Sequence, residues 1–310
     1  MNTATHIIDP NSQRLYWNIY MGLEKEFLKI LDVVHLDDNQ VSIYSLKIAE
    51  LLLRTAVEIE SISKDLYILA GGDSSKNPIY FDTDCIAFLE QKWGIENRIV
   101  FINSPYVYLS KDKMTMRPLR NASKRGKCAW KKAYNAIKHN GRVDIKQGNV
   151  ENLMFALAAL YLLNLCFKGM AGPIEIGGET AIPKFDASFG SSLFSIGVGD
   201  AREQVSSKGI KTKHGNFDDS TFLITTNEES AKKFIDGMAA VSVQLNDNLR
   251  GQVERVREDP QYEQEFERRK QAELHKLQPQ IQTIFNETWH LIKYEAMLNV
   301  HQFANRGIAP

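Results

Sequence analysis

Between Leu153 and Phe167 the chain reads LMFALAALYLLNLCF, an apolar run with no polar face. A helix that is apolar all round must lie inside a protein core or inside a membrane. The run is shorter than the roughly 20 residues a membrane span needs, and it carries Asn164. It therefore reads as the buried central helix of a bundle.

The neighbouring segments supply the rest of such a bundle. The segment 149–168 is expected to form the central helix, and 123–140 the helix before it, with Gly141 and Gly148 in the turn between them. Upstream, Leu15, Ile19, Leu23, Phe27, Ile30 and Leu31 recur at helical spacing across 14–34. The segment 43–69 reads as one long helix stopped by Gly71-Gly72, since glycine readily takes the left-handed conformation that ends a helix. A short helix over 82–93 has Asp82 or Thr83 as its N-cap. The stretch 99–109 is β-branched and aromatic but holds Pro105, so it reads as two short extended pieces.

After Met170 the texture changes. The segment 172–215 is rich in Gly and Ser, with candidate strands at 192–198 and 221–225. Helical patterning returns at Asn227, a suitable cap, and runs to about Glu258, where Pro260 should break it. A charged helix (YEQEFERRKQAELHKL) should follow, interrupted at Pro279, and a last helix over 281–303. The expected fold is mainly α: a bundle over 1–170, a mixed segment over 171–226 and a helical region over 227–310. The charged helix has few residues to bury, which points to support from a partner chain or domain.

Lys+Arg and Asp+Glu both number 38, so the net charge is zero and a whole-chain nucleic-acid footprint is absent. Any polyanion site has to be a local patch. Cys85, Cys128 and Cys166 are far apart and odd in number, and no Cys/His spacing suits a metal. Gly197-Val198-Gly199 lacks the rest of a dinucleotide fingerprint, and His275, His290 and His301 are isolated. His214 sits in a Lys/Gly-rich loop, KGIKTKHGN, which reads as solvent-exposed although such a loop can touch phosphate. The start, MNTATHIIDPNSQR, has no apolar stretch of a secretory signal, so the expected compartment is the cytoplasm. No metal, cofactor or membrane contact is expected.

The chemistry-bearing segment is WKKAYNAIKHNGR, Trp130 to Arg142. On a helix, Lys131, Asn135, His139 and Arg142 fall on one stripe, with Lys138 beside His139 and Tyr134 at its flank. An imidazole that titrates near neutral pH among cations is suited to holding a phosphodiester. The same spacing also fits a solvated basic face with a capping His. In the 43–69 helix the stripe Leu46, Ala49, Leu53, Val57 continues into Glu60 and Lys64, charged residues at positions that the apolar pattern gives to the core. A charged pair there is satisfied by partners or used in a site, unless the stripe leaves the core after Val57.

The combination RTAVEIESISKDLY, WKKAYNAIKHNGR, NLMFALAALYLL and SSLFSI resembles bacterial HEPN-like proteins over about half the chain, from Leu46 to Ile196. The resemblance implies a four- or five-helix bundle that often dimerises, and metal-independent endoribonuclease activity of the kind found in toxin and antiphage systems. It assigns the family's polar residue to Asn135 and its His to His139. The Arg that should precede the polar residue is Tyr134 here, which cannot supply charge to a phosphate; Lys131, Lys138 or Arg142 stand close enough to replace it. Two functions follow from this: an RNA-cleaving or RNA-binding homodimeric effector, with an antitoxin or other protein partner, or a non-catalytic interaction module.

Overall fold

The computed structural model describes residues 12–170, 174–176, 185–206, 209–212, 217–258 and 262–300. Seven α-helices dominate: α1 (Ser12–Leu31), α2 (Leu46–Leu69), α3 (Ala87–Trp93), α4 (Ala129–Asp144), α5 (Val150–Met170), α6 (Glu228–Glu258) and α7 (Glu263–Thr288). The protein is mainly α, with short strands tying the helical parts together.

The apolar run is α5, the central helix of a four-helix bundle. Leu153, Leu157 and Leu160 have no exposed surface. By length and composition α5 could cross a membrane, but its side chains are mostly buried within the fold. α2 starts beside α5, since the Val150 N–H donates to the Ile43 carbonyl at 2.9 Å. α1 runs the opposite way along α2, its Tyr16 reaching Ser61 and Asp65 while its Glu26 reaches Lys47. α4 also opposes α2, with Lys131 against Glu60 at one end and the turn after α4 against Ala49 at the other. That turn needs Gly148: an added Cβ would come within 2.7 Å of the Ala49 Cα. Gly71, at φ +91°, ends α2 as the sequence suggests.

Several boundaries differ from the sequence reading. α4 begins at Ala129 rather than near 123, because Asn121 and Gly126 both take positive φ and break the helical path. A π-helical turn, Phe81–Ile86, leads into α3; its N-cap is Tyr80, not Asp82 or Thr83, and Asp84 within the turn accepts from the Tyr80 N–H at 2.8 Å. The buried face of α2 is Ile48, Leu51, Leu52, Thr55, Ile59, Ile62 and Leu66. Of the stripe Leu46, Ala49, Leu53 and Val57, only Ala49 is buried, and Leu46 and Val57 are exposed.

The strands are β1 (Leu36–Asp37), β2 (Val100–Ile102), β3 (Val107–Tyr108), β4 (Thr115–Met116), β5 (Ile174–Ile176), β6 (Phe194–Ile196), β7 (Val198–Asp200), β8 (Glu203–Ser206), β9 (Gly209–Thr212), β10 (Phe222–Thr226) and β11 (Tyr294–Leu298). They pair as β1-β3, β4-β2-β6, β8-β9 and β5-β11-β10-β7. The expected strand 192–198 is divided at Gly197, so that β6 and β7 join different sheets. The expected helix over 281–303 stops at Thr288. Residues 294–298 instead pair antiparallel with β10 and β5, tertiary pairing that overrides the helix preference of Glu-Ala-Met-Leu. The interruption at Pro279 does not occur either. α7 passes through it, because the hydrogen bond Pro279 cannot donate would go to His275, whose exposed surroundings let water serve instead. Pro260, His214 and His301 lie outside the described residues.

α6 and α7 form an antiparallel hairpin, with Gly237 against Ile284 and Asn248 bonded to Glu273. Its base is apolar, built on Ala231, Phe234, Met238, Ile284 and Phe285, and Val241, Leu249 and Leu277 stay buried further out, beside the exposed Asn248–Glu273 bond. The partner that the charged helix needs is therefore α6 of the same chain.

Two buried charges lock the layers together. Glu24 of α1, 1% exposed, accepts from the Tyr20 hydroxyl at 2.8 Å, the Ser191 hydroxyl at 2.5 Å and the Leu193 N–H at 3.1 Å. Arg98, just after α3, donates to the carbonyls of Trp93, Phe217, Asp218, Ser220 and Asn299.

Candidate functional site

α4 presents two distinct surfaces. Trp130, Ala133, Tyr134 and Ile137 face the bundle. Trp130 packs edge-on against Phe81 at 5.8 Å, and its indole N–H donates to the Pro118 carbonyl at 2.9 Å. That bond anchors the turn that precedes the helix. Tyr134 is 3% exposed. Lys131 Nζ stands 4.7 Å and Lys138 Nζ 5.4 Å from its ring centroid, so the phenol ring is flanked by two ammonium groups.

Lys131 is also ion-paired to Glu60 of α2 and lies 4.9 Å from the Phe81 ring. Its charge is thus used inside the fold. Lys64 is exposed, one turn along α2 from Glu60. The structure brings Glu60, Lys131, Tyr134 and Lys138 into one contact network and leaves Lys64 outside it.

Asn135, Lys138, His139 and Arg142 are exposed on the outer surface. Asn140, with φ of −146° and ψ of 45°, kinks α4 directly after His139. The helix resumes and ends at Asp144, with Arg142 in its last turn, where a cation is favoured electrostatically. Among the described residues, neither His139 nor Asn135 has a side-chain hydrogen-bond partner, so both are available to a ligand.

The sequence reading stopped at Trp130 and missed the larger basic surface. From Lys111 to Lys146 the chain holds twelve of its 38 Lys and Arg residues and only Asp112 and Asp144 of its 38 acids. All but Lys131 are exposed. Lys113 pairs with Asp38 at 3.5 Å and Lys131 with Glu60; among the described residues the other ten have no carboxylate within 4 Å. Arg120, Lys124, Arg125 and Lys127 crowd the turn held by Trp130, at the opposite end of α4 from Arg142 and Lys146. A local charge count along the sequence would have found this surface, which the neutral total conceals.

The remaining chemistry is quiet. Burial pushes the Cys85, Cys128 and Cys166 thiols up, to about 12, 11 and 12, away from the nucleophilic thiolate. Among the described residues no three His, Cys, Asp or Glu side chains gather as metal ligands would. An open cleft near the start of α6 sets Glu175, Glu229 and Glu295 against Lys233 and Lys293, charges that offset one another. No family model, no curated protein and no solved structure matches the chain.

Proposed function

We propose that the outer face of α4, with the basic turn before it, binds RNA, and that the protein is a HEPN-like effector of the endoribonuclease type. The observation that carries this reading is the concentration of exposed, unpaired cations from Lys111 to Lys146, along α4 and the turn before it, in a chain of zero net charge. Counterion release from a nucleic-acid backbone rewards such a surface. In this reading His139 exchanges a proton with the ribose 2′-hydroxyl, Asn135 orients the reacting group, and Lys138 and Arg142 hold the phosphate. Glu60 and Lys131 act indirectly: their ion pair keeps Tyr134 and Lys138 in place. The position of the family's Arg is Tyr134 here, and Lys138 beside its ring supplies the replacement charge in this reading. The homodimer and the toxin or antiphage role follow from the resemblance alone.

Cleavage should proceed in chelator and leave 2′,3′-cyclic phosphate ends, because the nucleophile is the neighbouring hydroxyl. His139→Ala should slow it by about 10²–10⁴-fold without lowering the melting temperature. Lys138→Ala and Arg142→Ala should weaken RNA binding and each flatten its salt dependence. RNA binding without cleavage would favour the interaction-module reading, for which the buried Tyr134 in place of an arginine is the specific observation. Absence of both binding and cleavage would remove the RNA reading.

A further inference from the structure

The cleft at the start of α6 has a volume of about 480 Å³, within the roughly 300–1,000 Å³ of small-molecule sites. Its lining comes from β5, β11, the first turns of α6 and the residues just before β11. Leu291, 44% exposed, and the Tyr294 ring supply its apolar part. Glu175, Glu229 and Glu295 share it with Lys233 and Lys293, three negative charges and two positive. These charges offset one another in sum but not in contact.

The ordinary account of such a cleft is a set of surface ion pairs. α6 offers one, since Glu229 precedes Lys233 by four residues, the favourable order. That pair is not made. Among the described residues, none of the five charged groups has an opposite charge within 4 Å. Glu175 and Glu295 are instead direct partners in the β5–β11 register. Such partners have Cβ atoms about 4.5–5.5 Å apart, which is unfavourable for like charges. Asn227 steadies Glu295 by donating to its Oε2 at 3.2 Å. Thr225 continues the row opposite Glu295 on β10, and its buried hydroxyl has no hydrogen-bond partner among the described residues. The lysines gather at Ser230: the Lys293 N–H donates to its hydroxyl at 2.9 Å, and Lys233 follows it by three residues on α6.

This pattern is the complement of a basic amino acid. A planar guanidinium offers donors to two carboxylates at once, which suits the Glu175–Glu295 pair. An α-carboxylate suits the two ammonium groups beside Ser230, and the α-ammonium is left for Glu229. The methylene stem has Tyr294 and Leu291 to lie on. The ligand's single net positive charge cancels the cleft's single net negative one. An acidic amino acid would leave the Glu175–Glu295 pair unrelieved.

We propose that this cleft binds a free basic amino acid of the arginine type, its guanidinium on Glu175 and Glu295, its carboxylate on Lys233 and Lys293, and its ammonium on Glu229. The proposal stands apart from the RNA reading, since no α4 residue takes part. Isothermal titration calorimetry of the full chain at low salt should give L-arginine a dissociation constant of about 0.1–1 mM, as suits a small ligand held by exposed charges. L-Glutamate should bind at least about tenfold more weakly. Glu295→Gln keeps an acceptor for Asn227 and should weaken L-arginine at least about tenfold. Lys233→Met should weaken L-arginine to the level of agmatine, which is arginine without its carboxylate, and leave agmatine binding unchanged. That match between variant and probe reports a single contact, which neither misfolding nor a general effect of arginine on proteins can imitate. Melting curves establish that both variants fold. Absence of binding at about 10 mM L-arginine would overturn the proposal. So would equal affinity for L-glutamate, or L-arginine binding that survives Glu295→Gln in the folded variant.

Discussion

Replacing Arg98 by Met tests how the bundle is joined to the sheet that follows it. The guanidinium is 3% exposed and donates to five carbonyls from three chain segments: Trp93, the turn 217–220, and Asn299. Burial lowers its pKa below the ordinary guanidinium value, and the carbonyl dipoles offset that cost. In the variant the Phe217 and Ser220 carbonyls keep the Asn299 side-chain amide, at 2.7 and 2.9 Å. The carbonyls of Trp93, Asn299 and Asp218 lose the Arg98 donor, and of these the Asp218 carbonyl belongs to an exposed residue that water reaches. Two buried acceptors at about 1–3 kcal/mol each give a loss of about 2–6 kcal/mol, reduced by the guanidinium desolvation no longer incurred. About 2–5 kcal/mol is a large share of the 5–15 kcal/mol typical of a folded protein. Arg98→Lys should lose nearly as much, because a single ammonium cannot span three segments. Urea titration followed by far-UV circular dichroism measures the loss, and hydrogen exchange should show β10 and β11 opening first. A change below about 0.5 kcal/mol in both variants would refute the idea that Arg98 joins the two layers.

Two further outcomes follow from the packing and the charges. Leu157→Ala should cost about 2–5 kcal/mol, since the side chain has no exposed surface at the centre of α5; an unchanged melting midpoint would contradict that placement. The Asp186 carboxyl is held below the usual range mainly by the Ser188 hydroxyl and backbone N–H. Its contribution to stability should be full above the unfolded carboxylate pKa of about 4 and disappear as pH falls through the lower folded value. Asp186→Asn should therefore flatten the acid limb of a melting curve recorded from pH 6 to pH 2, and an unchanged limb would contradict the assignment.

The sequence disclosed what depends on local pattern and hid what depends on distant contacts. The identity of α5 as the core was legible because fifteen residues carry almost no polar group. The core face of α2 was not, since Leu51, Leu52 and Leu53 stand in succession and only packing against α5 decides which is buried. β11 could not be told from a helix, because Tyr-Glu-Ala-Met-Leu suits either structure until β10 is beside it. The role of Glu60 was partly visible, as a charge near an apolar stripe. Its actual partner, Lys131, lies 71 residues away. At the candidate site, helical spacing put Lys131, Asn135, His139 and Arg142 on one stripe; the last three are exposed, whereas Lys131 turns into the fold against Glu60, and the kink at Asn140 left no signal beyond Gly141.

The hairpin of α6 and α7 enters and leaves the sheet through two strands paired directly with each other, Thr226 of β10 opposite Tyr294 of β11. The whole arm is therefore a topological insertion between adjacent, antiparallel strand ends. An Asn-Gly turn of two residues could splice those ends and preserve the β10–β11 register. The arm can in consequence be removed, lengthened or exchanged for another helical pair while Phe222 and Leu298 stay seated against Gly169 at the end of α5. Variation in that region is uncoupled from the bundle that carries the candidate site.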